Sequence, residues 1–500
     1  MSTGAWAFLV ALVTMAGMAG LGIAYTWGRR VTVEEFISAR RSTSGLTAMA
    51  TAVASVMGAW ILFSPAEAAT WAGLVGIIGY GIGQGAPIVA FAVLGPRMRR
   101  IMPEGHSLTE FVWFRYGRAT YAVALAIMLL YMFTFLSAEM GAIARAVQLV
   151  TGTPLLLTLV LVGGATLAYT AYGGLRASIF TDNIQFLVMV PLLVLLLAVA
   201  IGELGGWSAA FEPVRESSPA LLSLTHQPGI EFGITLIIAI LAANLFHQGF
   251  WQRVYAARTD RDLRLGFLSA GVIVIPMVVA VGLFGLWAAG RGLLDPPTGS
   301  LALFNLALDV MPGWALVALT ALALALVMSS MDTLLNGIAS VFTSDLPRIS
   351  PGLGGAQLLR SARIITALLI VPSMVVGFAF DSVLYLFLIA DLVCAGAVVP
   401  IFLGMYVRRF SGTGATASAI AGIAAGALFF PTRSLSGWWT FEGLTDLWHI
   451  LASGNLLGSL LVAVVVSSAV AAGFVAAGRR TPGGGYDFAE LSQRVHGLEG

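Results

Sequence analysis

Hydrophobic residues fill this chain in long blocks, parted by short polar or glycine-rich joints. The blocks fall near 5–27, 46–71, 73–95, 119–147, 154–172, 180–202, 231–250, 267–290, 315–342, 361–380, 383–406, 413–430 and 452–477. An α-helix needs about 20 apolar residues to cross a hydrocarbon core, and these blocks are of that order. The pattern therefore predicts an all-α integral membrane fold of about thirteen transmembrane helices. The first block is longer than the roughly 7–15 residues of a signal-peptide core and lacks a basic leader, so it reads as a retained helix. The second block holds Ala54-Ser55-Val56-Met57-Gly58-Ala59-Trp60, followed by Ser64-Pro65-Ala66-Glu67. Gly58 and Pro65 weaken helix continuity there, which predicts an interruption or an ordinary kink in mid-membrane.

Composition sharpens this picture. The 500 residues are 58% hydrophobic and 10% charged, against about 25% charged in soluble domains. The single cysteine, Cys394, excludes a disulfide framework and a cysteine-based metal site. Every basic residue is an arginine, and when the spans alternate, all but Arg145, Arg215, Arg291 and Arg433 collect on one side. The positive-inside rule then puts the N-terminus outside and the C-terminus in the cytoplasm, in a multi-pass plasma-membrane protein. Residues 481–500 read as a short mobile cytoplasmic tail. No metal-ligand cluster or nucleophile constellation points to an enzyme. No cofactor and no nucleic-acid partner is expected; the expected partners are the lipid bilayer and small molecules.

The densest motif joins two apolar blocks: Tyr169-Thr170-Ala171-Tyr172-Gly173-Gly174-Leu175-Arg176-Ala177-Ser178-Ile179-Phe180-Thr181-Asp182-Asn183-Ile184-Gln185. It resembles the signature of the sodium/solute symporter family, which includes sodium-coupled sugar, proline and sialic acid carriers. The resemblance runs from about Val33 to Arg409. Ala54–Trp60 is similar to the broken first core helix of the proline carriers, and Ala243-Asn244-Leu245-Phe246-His247-Gln248-Gly249-Phe250 to the sixth core helix of the sugar carriers. Leu326-Val327-Met328-Ser329-Ser330-Met331-Asp332 resembles the hydroxyl pair of the eighth. The run from Phe246 to Arg253 looks most like the urea and polyamine branch. The resemblance implies a LeuT-type 5+5 inverted repeat at 46–202 and 231–406, with one extra helix before (5–27) and two after (413–477).

It also implies sites. The family's sodium ligands fall on the carbonyls of Ala54, Met57 and Leu326 and the hydroxyls of Ser329 and Ser330. Small hydroxyl residues also line helix interfaces, so helix packing is the favoured account of the serine pair taken by itself. Asp182 and Asp332 form a candidate inner cation or proton site, although a carboxylate at a helix start is also an ordinary dipole partner. Val56 stands where the proline carriers have an Asp. The candidate solute residues are Trp60, Gln84, Phe135, Asn244 and His247. No basic residue falls mid-span to match the acids at membrane depth, Glu67, Glu139 and Asp391, which favours a neutral or cationic solute. The function expected is sodium-coupled symport of a small polar organic solute into the cell by alternating access. Proton coupling in the same fold, a solute sensor and a passive channel are the alternatives.

Overall fold

The structure is a computed structural model that describes residues 2–29, 31–294, 299–349, 352, 354–379, 383–431, 454–478 and 486–495. Arg30, Arg433, Arg479 and Arg480, used above to orient the chain, lie outside the described residues. The helices are α1 (Thr3–Thr26), α2 (Val33–Ile37), α3 (Gly45–Val56), α4 (Ser64–Ile101), α5 (Leu108–Tyr116), α6 (Arg118–Thr151), α7 (Leu155–Glu203), α8 (Trp207–Ser217) and α9 (Gln227–Leu245). They continue as α10 (Gln248–Ala256), α11 (Asp260–Gly290), α12 (Ala302–Val310), α13 (Gly313–Ile349), α14 (Gly355–Ala379), α15 (Val383–Leu403), α16 (Gly412–Ala427), α17 (Leu456–Gly478) and α18 (Phe488–Arg494). Several starts are written in the sequence. Ser2, Thr32, Ser44, Ser107, Thr259 and Ser411 each precede a helix and accept a backbone N–H of its first turn.

Among the described residues, nine helices are by themselves long and apolar enough to cross a membrane. Two of these run through a sharp turn that separates successive spans. α4 turns at Gly73 (φ 66°, ψ −164°) and α7 at Gly174 (φ 58°, ψ −150°). Both dihedral pairs suit glycine alone, and a side chain at either would meet the backbone of Leu221 or of Phe36. Splitting α4 and α7 at these turns and adding α15 and α16 recovers the thirteen segments of the hydropathy pattern. The expected span 46–71 is not one helix: α3 stops at Val56, a short 3₁₀ helix covers Ala59–Leu62, and α4 begins at Ser64.

Close packing of α4 against its neighbours rests on small residues. Gly76 and Gly79 face Gly229 and Gly233 of α9, and Gly81 and Gly85 face the α11 backbone at Ile275 and Gly271. Without a hydrophobic driving force between helices in lipid, such backbone approach is a main source of association.

On the arginine-rich side, a charged clamp ties α2 to the α4–α5 loop. His106 faces Glu34 Oε2 through Nε2 at 2.8 Å and Glu110 Oε2 through Nδ1 at 3.3 Å. Arg40 Nε donates to Glu34 Oε1 at 2.8 Å. Only an imidazolium donates from both ring nitrogens. Burial works against the charged ring, but the bonds to Glu110 and Glu34 outweigh it and raise His106 from 6.5 to about 9. Burial likewise opposes the Glu34 carboxylate, and the contacts from His106 and Arg40 overcome it and lower Glu34 from 4.5 to about 2.

Part of the C-terminal tail is docked rather than mobile as expected. Phe488 and Leu491 of α18 are buried, Tyr486 Oη donates to Phe114 O at 3.0 Å, and the Arg115 guanidinium lies 4.6 Å from the Tyr486 ring centre. The apolar positions here are too few to register as a hydropathy block; the arginines beneath them supply cation–π partners instead.

Two outcomes are expected. Gly79→Val should lower the stability of the detergent-solubilised protein by about 1–3 kcal/mol through overpacking, whereas Gly164→Ala, which meets nothing within 4 Å, should leave its melting temperature unchanged. The clamp should give a pH plateau. The raised His106 contributes fully below 6.5 and its contribution is lost as pH climbs through about 9. The depressed Glu34 contributes fully above 4.5 and its contribution is lost as pH falls towards about 2. Melting temperature should therefore fall on either side of the interval from 4.5 to 6.5, and His106→Gln should flatten the alkaline side.

Candidate functional site

The site is built on two interrupted helices. At the first, the last backbone bond of α3 runs from Met57 N to Val53 O at 3.0 Å, after which Met57 (φ −85°, ψ 97°) and Gly58 (φ −102°, ψ −174°) are extended. The carbonyls of Ala54 and Met57 follow that last bond. Glu139, from the middle of α6, closes the other end of the break. Its Oε2 accepts Ala59 N at 2.7 Å and Ser330 Oγ at 2.9 Å, and its Oε1 accepts Trp60 N at 3.4 Å. Gly58 is required for this approach, because a Cβ there would run into the Glu139 carboxyl group. At the second break, α9 ends at Leu245 and α10 starts at Gln248. His247 Nδ1 accepts Gly249 N at 3.1 Å, and Trp251 Nε1 donates to Leu245 O at 2.8 Å.

The two serines of α13 face different acids. Ser329 Oγ donates to Asp182 Oδ1 at 2.5 Å, and Ser330 Oγ donates to Glu139. Leu326 lies one turn before them and is buried. With their protons committed to carboxylates, the oxygen lone pairs are left as acceptors.

Asp182 and Asp332 are brought into one buried network around Arg253, a basic residue that the sequence pattern leaves in a loop. Arg253 NH2 donates to Asp182 Oδ2 at 2.6 Å and to Thr333 Oγ1 at 2.7 Å. Arg253 Nε donates to Thr51 Oγ1 at 2.8 Å, and Thr51 in turn donates to Asp182. Asp332 accepts Ser178 Oγ at 2.6 Å and Tyr169 Oη at 2.7 Å. Arg253 reads in the sequence as the first of a cluster of loop arginines, yet α10 carries it inward until it is 1% exposed. A permanently charged, planar guanidinium with five donors suits such a position.

Beside the first break lies a cavity lined by Val56, Trp60, Tyr80, Gln84, Tyr131, Phe135, Leu236, Ile240, Asn244, Leu384, Phe387, Leu388 and Asp391. Trp60, Gln84, Phe135 and Asn244 of the expected solute residues are thus gathered around one space. His247 does not line it; its ring packs edge-on to Phe135 at 5.8 Å and to Tyr131 at 6.1 Å. Tyr80, Tyr131 and Phe387 carried no motif and were not foreseen. Asp391 and Glu139 stood out only as acids inside apolar blocks, a signal that marks a functional position without naming its partner.

Interrupted helices around a buried cavity define a transporter-type membrane fold. The sodium:solute symporter family profile matches residues 36–422, and the chain belongs to that family. It is 31% identical to a spermidine transporter of Candida albicans over 420 residues, 82% of this chain and 78% of that protein. It is 25% identical to a urea-proton symporter of Oryza sativa subsp. japonica over 491 residues, 89% of this chain and 66% of that protein. Among solved structures, an outward-open Na⁺-coupled sialic acid symporter superposes with a TM-score of 0.78 at 18% identity, covering 95% of this chain and 98% of the other. The architecture is the LeuT-type helical fold.

Removing one partner of a buried ion pair costs about 3–5 kcal/mol because the other charge is stranded. Arg253→Gln should therefore lower the melting temperature sharply, and adding Asp182→Asn should recover part of the loss. A double variant whose loss equals the sum of the single losses would show that the pair is not coupled.

Proposed function

We propose that this protein is a secondary active transporter in which inward flow of sodium drives uptake of a small polar solute by alternating access. The observation that carries the reading is the double duty of the first break. Trp60 contributes its ring to the cavity and its backbone N–H to Glu139, and Glu139 accepts the Ser330 hydroxyl. A change at the serine pair is therefore transmitted to the cavity wall through one carboxylate. The carbonyls of Ala54, Met57 and Leu326 with the hydroxyls of Ser329 and Ser330 would hold the ion; neutral oxygens of this kind replace the hydration shell of a hard cation. Segments 46–202 and 231–406 act as the two repeats that move against each other, and the arginine-rich side faces the cytoplasm. The relatives that handle spermidine and urea support a nitrogen-rich solute, cationic or neutral.

One observation favours proton coupling as the second reading. The donors to Glu139 are two backbone N–H groups and a serine hydroxyl, and among the described residues no charged side chain is a partner. A buried carboxylate in that setting is costly to keep ionised.

Thermal unfolding of the purified protein in sodium, potassium and choline chloride across a pH series separates the two. A ligand at about a hundred times its Kd stabilises the folded state by about 2.7 kcal/mol. A sodium-specific rise in melting temperature is expected, absent in the Ser329→Ala/Ser330→Ala double variant; a rise that persists in that variant would sink the serine site. A pH-dependent shift without any sodium effect, abolished by Glu139→Gln, would transfer the coupling role to the proton.

A further inference from the structure

The cavity has an unusual balance of polar groups. Asp391 is 4% exposed, yet it forms no hydrogen bond and no ion pair among the described residues. Asn244 spends its Nδ2 donor on Ile240 O at 3.1 Å, which leaves Oδ1 without a partner. Gln84 Oε1 is likewise buried and unpartnered. Trp60 Nε1, the indole donor, is committed to Val56 O at 3.0 Å. Three residues with uncommitted acceptors thus line a space whose donors are the Tyr80 and Tyr131 hydroxyls and the Gln84 amide, and no basic residue is among its lining. Unsatisfied buried acceptors of this kind select a ligand that brings N–H donors.

The walls add a second preference. Tyr80 stacks on Trp60 with ring centres 5.8 Å apart. Trp60 meets Phe387 edge-on at 6.2 Å, Phe387 meets Phe135 at 4.9 Å, and Phe135 lies 6.0 Å from Tyr131. Five rings in sequence make a belt along the cavity that Asp391 also lines. Aromatic faces carry negative charge density and attract cations, most strongly where water is excluded. A neutral solute, however rich in donors, would bring no counter-charge, so Asp391 would have to take up a proton rather than stand as an unpaired charge in a low-dielectric interior. A cation supplies what is missing. A quaternary ammonium would satisfy the rings but bring no N–H to the three oxygens. A primary or secondary ammonium meets both demands.

We propose that the cavity binds a protonated alkyl amine, with Asp391 as its counter-ion, Gln84 and Asn244 as acceptors of its N–H groups, and the ring belt as its wall. The assignment rests on reading this cavity as the solute site. It puts the specificity of the carrier on Asp391, a position outside every motif of the sequence.

The test is direct binding. Protein in nanodiscs of zwitterionic lipid is titrated calorimetrically with putrescine, spermidine, tetramethylammonium, urea and galactose. Putrescine and spermidine are expected to bind roughly a hundredfold more tightly than urea or galactose, and clearly more tightly than tetramethylammonium. Asp391→Asn, which keeps size and shape, should weaken amine binding by about thirtyfold or more. Tyr131→Leu, which removes one ring and no charge, should weaken it several-fold, so the assignment does not depend on one variant folding. Amine affinity no better than that of urea, or unchanged in Asp391→Asn, would overturn the assignment. Proteoliposome uptake distinguishes this failure from that of transport. Amine binding without cation-driven accumulation would leave the ligand class standing and remove the transport reading. Cation-driven accumulation of urea or galactose, unaffected by Asp391→Asn, would do the reverse.

Discussion

A backbone N–H inside hydrocarbon has no water to turn to, so every place where a membrane helix comes apart must supply an acceptor from elsewhere in the protein. Here the break after Val56 presents the N–H groups of Ala59 and Trp60, and the acceptor is the Glu139 side chain. The choice of a carboxylate over a carbonyl has consequences. It has two oxygens, so it holds the broken segment and the Ser330 hydroxyl at once. It also carries a charge or a proton, so the state of the break depends on what else is bound nearby. Three elements, α3 with its 3₁₀ continuation, α6 and α13, are coupled through a single functional group.

The buried acids fall into two kinds. Asp182 is matched by the protein's own Arg253 and accepts hydroxyls from α3 and α13, with Asp332 joined to Arg253 through Ser178. In that network one guanidinium pairs with Asp182, and Asp332 is held by the hydroxyls of Ser178 and Tyr169. Among the described residues, Glu139 and Asp391 have no protein cation as a partner. One lies beside the helix break and the other in a cavity wall with aromatic rings.

The spans were legible in the sequence because membrane helices announce themselves by length and hydropathy, and Gly58 with Pro65 signalled the interruption before any coordinates. The turns at Gly73 and Gly174 were not read as such, since a glycine between two apolar blocks looks the same whether the chain loops or pivots. Trp60, Gln84, Phe135 and Asn244 were named from motif position, and the structure gathers all four around one cavity. Tyr80, Tyr131 and Phe387 were invisible for a physical reason: an aromatic residue in an apolar helix has the same pattern whether it faces lipid, core or ligand. Arg253 was hidden by its neighbours Arg258, Arg261 and Arg264, which lent it the character of a surface cluster. The docking of Tyr486 and Phe488 depends on arginines more than 70 residues away in the chain and had no local trace.

The contact between Gly58 and Glu139 also limits how this sequence is free to drift. The carboxyl group occupies the volume that any side chain at position 58 would need. A mutation that adds a Cβ at 58 is therefore tolerable only if residue 139 has already shortened or swung away, and a shortened residue 139 surrenders the N–H groups of 59 and 60. Each position holds the other in place, so the two are expected to change together or not at all as the lineage diverges. That linkage is an evolutionary ratchet set by a single steric overlap.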